Sequence, residues 1–169
     1  MWVIMIFGGI AGGFYLDNIL FEGVHKSIVF HIISFLIGII LMFLVLKISK
    51  NTGRTLAKYG RKGDVKRMET NALVKEGIYK YMRHPMHLGL MLFPLSFAFL
   101  VGSPSFIIFI APVEIILMLI LIKLIEEPEA IRKFGSEYLE YEKKVPGFCF
   151  KKKCLKELLK DVSKNMTKS

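Results

Sequence analysis

Apolar positions along the chain fall in blocks rather than on one helical face. The first block runs from Trp2 to Phe21, and the second from Ile28 to Ile48 with no charge before Lys47. A third, Met86 to Val101, ends at Gly102-Ser103-Pro104, and a fourth runs back from Ser105 to Ile125. At roughly 1.5 Å per residue, three of these cross about 30 Å of hydrocarbon as helices, and Met86 to Val101 is barely long enough. The pattern predicts an all-α integral membrane protein of about four transmembrane helices, the last two forming a C-terminal helical hairpin, followed by a cytoplasmic tail helix. Residues 1–48 then make an N-terminal transmembrane pair, and residues 49–169 hold a basic loop, the hairpin and the tail.

Within the first block, Gly8, Gly9, Gly12 and Gly13 form two overlaid small-xxx-small pairs that let another helix approach closely. The block has neither a basic n-region nor an A-x-A-like site after it, which argues against a signal peptide. Asp17 reads as a polar boundary residue, and His31 as a satisfied interfacial side chain. Between Ser49 and Met82 the chain turns basic, and its glycines predict loops with short helical pieces. By the positive-inside rule this segment and both termini are cytoplasmic. From Glu126 a charged tail predicts a helix ending near Val145-Pro146, with lysines beyond it facing an anionic leaflet. Cys149 and Cys154, spaced C-x₄-C with no nearby histidine, read as free thiols.

Composition changes one point. The chain has 169 residues, is 53% hydrophobic and carries a formal charge of +10. In a soluble domain that charge would point to nucleic acid, but these cations gather between and after the apolar blocks. They indicate a lipid bilayer as partner and no nucleic acid.

Candidate chemistry concentrates at Leu73 to Gly89, LVKEGIYKYMRHPMHLG, where the basic segment meets the third block. An antiparallel hairpin brings the start of one helix beside the end of the other, so Arg83-His84-Pro85 faces Glu126-Glu127. Opposite charges at a partly desolvated edge suit a polar ligand site and equally a structural clamp. Glu114, two residues after Pro112 in the fourth block, is either a functional acid or a protonated carboxyl bonded to a carbonyl freed by the proline.

LVKEGIYKYMRHPMHLG, followed after one hairpin by EEPEAIRKFGSEYLEYEKKVPGF, resembles the isoprenylcysteine carboxyl methyltransferase family and its relatives among membrane phospholipid methyltransferases. The resemblance covers about the C-terminal half. It implies a membrane enzyme that moves a methyl group from S-adenosylmethionine to a lipophilic acceptor, either a prenylcysteine-like carboxylate or a lipid headgroup. Gly77, Tyr79, Arg83, His84, Pro85 and Gly89 match the first motif, and Glu126 and Glu127 the second. Phe134, Gly135, Tyr138, Tyr141 and Pro146 match the segment that closes over the pocket. His87 stands where the family commonly has an aromatic residue, and Pro128 is a second departure, placed to kink the helix exit. The implied cofactor site is therefore Gly77, Tyr79, Arg83, His84, Pro85, His87, Gly89, Glu126 and Glu127, with Arg83 and Glu127 also serving catalysis and no metal. It would face the cytoplasm, at the plasma membrane in a prokaryote.

The residue types are compatible with that chemistry. Carboxylates suit the cofactor's ammonium and Arg83 its carboxylate, while an amine or thiol acceptor would need His84, His87 or a glutamate as base. Two other classes stay open at this level. One is a sterol-reductase-like enzyme using NADPH, with Arg61, Lys62, Lys66 and Arg67 near the 2′-phosphate. The other is a non-enzymatic scaffold in which the charges only lock the hairpin.

Overall fold

The computed structural model describes residues 2–61, 63 and 70–160. Lys62, Lys66 and Arg67, considered above for a nucleotide phosphate, fall outside these residues. The described residues form helices and turns, with no strand among them. In order they are α1 (Trp2–Leu20), α2 (Glu22–His25), α3 (Ile28–Tyr59), a 3-10 turn (Gly77–Lys80), α4 (Pro85–Val101) and a long run from Phe106 to Phe134. That run comprises a wide π turn (Phe106–Ile110), α5 (Ala111–Leu121), a second π turn (Ile122–Glu126) and α6 (Glu127–Phe134). Two short helices follow, α7 (Ser136–Lys144) and α8 (Lys152–Leu159).

Three of these are long and apolar enough to cross a membrane: α1 from Val3, α3, and the run Phe106–Phe134. The fourth apolar helix, α4, has 17 residues and carries Pro94 inside it. Much of the apolar surface faces outward, including Ile4 and Phe7 on α1 and Ile28, Ile40 and Phe43 on α3. Water would penalise that exposure at about 25 cal/mol per Å², whereas lipid tails do not, so the surface is that of an integral membrane protein.

Two helices depart from the sequence expectation. Loops were expected from Ser49 onward, yet α3 continues to Tyr59. Its polar residues there are satisfied inside the helix: the Thr52 and Thr55 hydroxyls donate to the carbonyls of Ile48 at 2.8 Å and Asn51 at 2.9 Å. Buried threonines that bond back one turn let a helix run on where composition suggests it should stop. The long run also does not break at its prolines. Each π turn ends two residues before one, Pro112 or Pro128. A proline offers no N–H and crowds the carbonyl one turn back, so the preceding turn widens while the helix continues.

The chain divides into two compact units. The first takes Met1–Val45 and Leu90–Ile122. There the glycines of α1 do admit a close neighbour, because a Cβ on Gly9 would strike the Phe106 ring and one on Gly13 would lie 2.6 Å from the Ser103 hydroxyl. Asp17 is not a boundary residue but is fully buried. Its Oδ1 accepts the Ser105 N–H at 2.7 Å, and the Ser103 hydroxyl accepts the Phe106 N–H at 3.2 Å. These bonds cap the start of the long run, whose first amides have no partner within a helix. His25 approaches the other Asp17 oxygen only to 3.7 Å. His31 donates to the His25 carbonyl at 2.6 Å and lies against Gly102, whose φ of +64° and contact with that ring both exclude a side chain. Glu114 is buried here, and its Oε2 has no partner among the described residues.

The second unit takes Leu46–Gly89 and Lys123–Ser169. Cys149 and Cys154, expected as free thiols, are joined in a disulfide, because the turn before α8 brings their Cα atoms to 5.9 Å.

The Asp17 cap gives a stability prediction. Asp17→Ala should cost about 1–3 kcal/mol by stranding the buried Ser105 N–H, whereas Asp17→Asn, which keeps an acceptor oxygen, should lose much less. Thermal unfolding in detergent measures both, and equal losses would place the stability in the charge facing His25 instead.

Candidate active site

The site lies within the second unit and starts at the 3-10 turn. Gly77 enters that turn at a φ of +60°, a left-handed conformation that favours glycine. The turn buries Ile78 and Tyr79 and delivers the chain to Pro85, the first residue of α4. Proline suits that position, since the N–H it lacks would have no partner within the helix. The two preceding amides are held from outside: Arg83 N–H donates to the Pro146 carbonyl at 3.0 Å and His84 N–H to that of Gly147 at 3.1 Å. The segment after α7 is thereby fastened across Arg83 and His84.

Side chains complete the arrangement. Arg83 Nη1 lies 2.8 Å from Glu127 Oε1 and 2.8 Å from Glu142 Oε1, and donates to the Tyr138 hydroxyl at 3.3 Å. His84 Nε2 is 3.2 Å from Glu127 Oε1, and Lys123 Nζ is 2.7 Å from Glu127 Oε2. Both oxygens of Glu127 are therefore engaged. The Arg83 and Glu127 side chains are only 11% and 7% exposed, so this is a desolvated ion pair, strong in geometry and intolerant of losing either member.

The second glutamate behaves differently. Glu126 meets the His87 ring at 3.7 Å, and its side chain remains 51% exposed. On Arg83 the buried Nε likewise has no partner among the described residues. The centre thus pairs an unused cationic donor with an accessible carboxylate.

Protonation follows from these surroundings. Burial opposes the Arg83 charge, but Glu127, Tyr138 and Glu142 more than offset it and raise an already high pKa. Burial lowers the His84 pKa in spite of its bond to Glu127. The imidazole is accordingly neutral near pH 7, with its proton on Nε2 facing Glu127 and Nδ1 left as an acceptor. Burial raises Tyr79 and Tyr141, which stay neutral donors, and the Tyr141 hydroxyl donates to the Tyr79 carbonyl.

Of the residues singled out from sequence, Arg83, His84 and Glu127 are brought into direct contact, and His87 meets Glu126. Gly77, Tyr79 and Pro85 shape the backbone that delivers them. Gly89 stands apart, since a Cβ there would lie 2.9 Å from Ile48 Cγ2, so its smallness serves packing against α3. Sequence reasoning missed Glu142 and Lys123. Their signals are helical spacing: Tyr138, Tyr141 and Glu142 fall on one face of α7, and Lys123 sits one turn before Glu127. Phe148, 5.9 Å from the His84 ring, closes the aromatic side.

The lowered His84 pKa fixes a pH dependence. The unfolded chain binds this proton near pH 6.5 and the folded chain only at lower pH, so the contribution is complete above about 6.5 and is lost as pH falls below it. The melting temperature should fall between pH 7 and 5, and less steeply in His84→Gln; parallel profiles would contradict a buried neutral imidazole.

Comparison with known proteins bears on the same residues. Residues 28–137 match the family model described as phospholipid methyltransferase. The chain is also 33% identical over 88 residues to the protein-S-isoprenylcysteine O-methyltransferase of Schizosaccharomyces pombe, covering 48% of this chain and 34% of that relative. It thus spans about a third of the length of the curated relative it matches. The family match takes in the first motif and the start of the second, including Glu126 and Glu127, and extends over well more than half of the sequence, and on that ground the chain belongs to the phospholipid methyltransferase family.

Proposed function

We propose that the protein is a membrane methyltransferase that takes its methyl group from S-adenosylmethionine and passes it to a lipophilic acceptor. The observation that carries this reading is the unspent polarity of the centre. Arg83 is held through Nη1 yet has a buried Nε with no partner among the described residues, and Glu126, next in the chain to Glu127, is a half-exposed carboxylate. A zwitterionic amino-acid group fits such a donor and acceptor, with Arg83 taking its carboxylate and Glu126 its ammonium. When bound, S-adenosylmethionine supplies an electrophilic methyl group on a sulfonium.

The chain's own residues then have separate tasks. Glu127, with both oxygens engaged, is a positioning residue that fixes Arg83 and orients His84. The segment Pro146-Gly147-Phe148 covers the centre and keeps water out, which favours a displacement limited by alignment. Neutral His84 has Nδ1 available to take a proton from an amine acceptor, whereas a carboxylate acceptor needs no base. The acceptor is a phospholipid headgroup or a prenylcysteine-like carboxylate, presented from the bilayer to a cytoplasmic active site.

Thermal unfolding with and without S-adenosylhomocysteine tests the assignment. Arg83→Ala should abolish most of the ligand-induced rise in melting temperature, because a ligand stabilises the fold only through its affinity for it. Glu126→Gln should diminish that rise while leaving the ligand-free value nearly unchanged, and Glu127→Gln should lower the ligand-free stability by about 3–5 kcal/mol. An Arg83→Ala variant that melts lower but keeps the full ligand shift would reduce Arg83 to a clamp.

A further inference from the structure

The proposed chemistry leaves one cluster of charge unused. α8 buries Cys154 and Leu158 and packs by that face against the 3-10 turn. At 100° per residue, Lys153, Lys156 and Lys160 then fall within about 60° of one another on the opposite side. With Tyr81, Glu157 and Leu159 they line a cleft of about 690 Å³, within the size range of ligand sites. Lys153 Nζ stands 5.3 Å from the centre of the Tyr81 ring, which fixes one wall. Among the described residues Glu157 answers Lys160, at 3.6 Å, and the three lysines against one glutamate that line the cleft sum to two net positive charges. Outside the cleft, Leu155 on another face of α8 is 38% exposed, and Phe150, just before the helix, is 68% exposed.

A cationic cleft on a short helix that also carries uncovered apolar side chains describes one kind of partner. A phosphate satisfies the lysines, and acyl chains cover Phe150 and Leu155, which a free anion in water would leave bare. The geometry points to a binding site for an anionic phospholipid headgroup between the lysines of α8 and Tyr81, separate from the centre at Arg83 and Glu127. A chain that already lives in a bilayer meets such headgroups at high local concentration. Zwitterionic lipid, whose phosphate is balanced by its own ammonium, fits the net positive cleft poorly.

The test uses the full chain purified in a neutral detergent. Its melting temperature is followed against dihexanoyl phosphatidylglycerol, dihexanoyl phosphatidylcholine and inorganic phosphate. Wild type is compared with Lys153→Gln/Lys156→Gln/Lys160→Gln and with Lys133→Gln/Lys143→Gln/Lys144→Gln, which removes the same charge from α6 and α7. The phosphatidylglycerol titration should raise the wild-type melting temperature at the lowest concentrations, and the α8 variant should require about a hundredfold more, at roughly a tenfold loss for each 1.4 kcal/mol and about 1 kcal/mol per lysine. The control variant should respond like wild type. Equal titrations in all three proteins, no response to phosphatidylglycerol, an equal response to phosphatidylcholine, or an equal response to inorganic phosphate would each overturn the lipid site. Should the triple α8 variant fail to fold, the exposed single substitution Lys156→Gln carries the comparison with an expected loss of about fivefold, and no loss would overturn the proposal.

Discussion

Everything at the candidate active site depends on one desolvated ion pair, Arg83 with Glu127. Two buried charges of opposite sign tolerate each other only if their remaining valences are met, and the surrounding residues are those that meet them. Glu142 and Tyr138 reach the same guanidinium nitrogen as Glu127, while Lys123 and His84 occupy the carboxylate. His84 can do so as a neutral donor because its burial keeps it unprotonated. The pair also explains why the chain after α7 returns to Arg83 and His84, whose amides need the carbonyls of Pro146 and Gly147. Such an arrangement is weak evidence of stability for its own sake. It does hold a cation in fixed orientation with one donor to spare, and a positively charged anchor of that kind is what a zwitterionic ligand requires.

The sequence was most readable where solvent preference dominates. The apolar blocks placed α1, the first part of α3, α4 and the start of the long run to within a few residues, because burial in lipid imposes length and composition together. It was least readable where a polar residue finds its partner inside the structure. Thr52 and Thr55 look like the start of a loop until their hydroxyls are seen bonded back along α3. Asp17 looks like a boundary residue until it is seen receiving the Ser105 amide. The cysteine pair was misread from its spacing and the lack of a nearby histidine, whereas the local turn brings the two sulfurs together.

The site shows the same division. Arg83 opposite Glu127 was visible because the hairpin expected between the two motifs leaves few other arrangements. Glu142 was not, since in SEYLEYEKK it is one of several charges on a short helix that would ordinarily be solvated. Its spacing of four from Tyr138 was the available signal, and only the closeness of α7 to Arg83 gives it meaning. The two glutamates of the second motif likewise look equivalent in sequence. In the structure one is saturated and one half-exposed, which is why the reading assigns them different work.

The central claim is that Arg83 and Glu126 grip the amino-acid end of the methyl donor. The most direct measurement is calorimetric, comparing the affinities of S-adenosylhomocysteine and 5′-methylthioadenosine, which share the adenosine and the sulfur but differ in that end. Charged hydrogen bonds contribute about 1.5–3 kcal/mol each, so S-adenosylhomocysteine should bind at least about tenfold more tightly to wild type, with the ratio collapsing toward one in Arg83→Ala. Equal affinities of the two compounds for the wild-type protein would contradict the account.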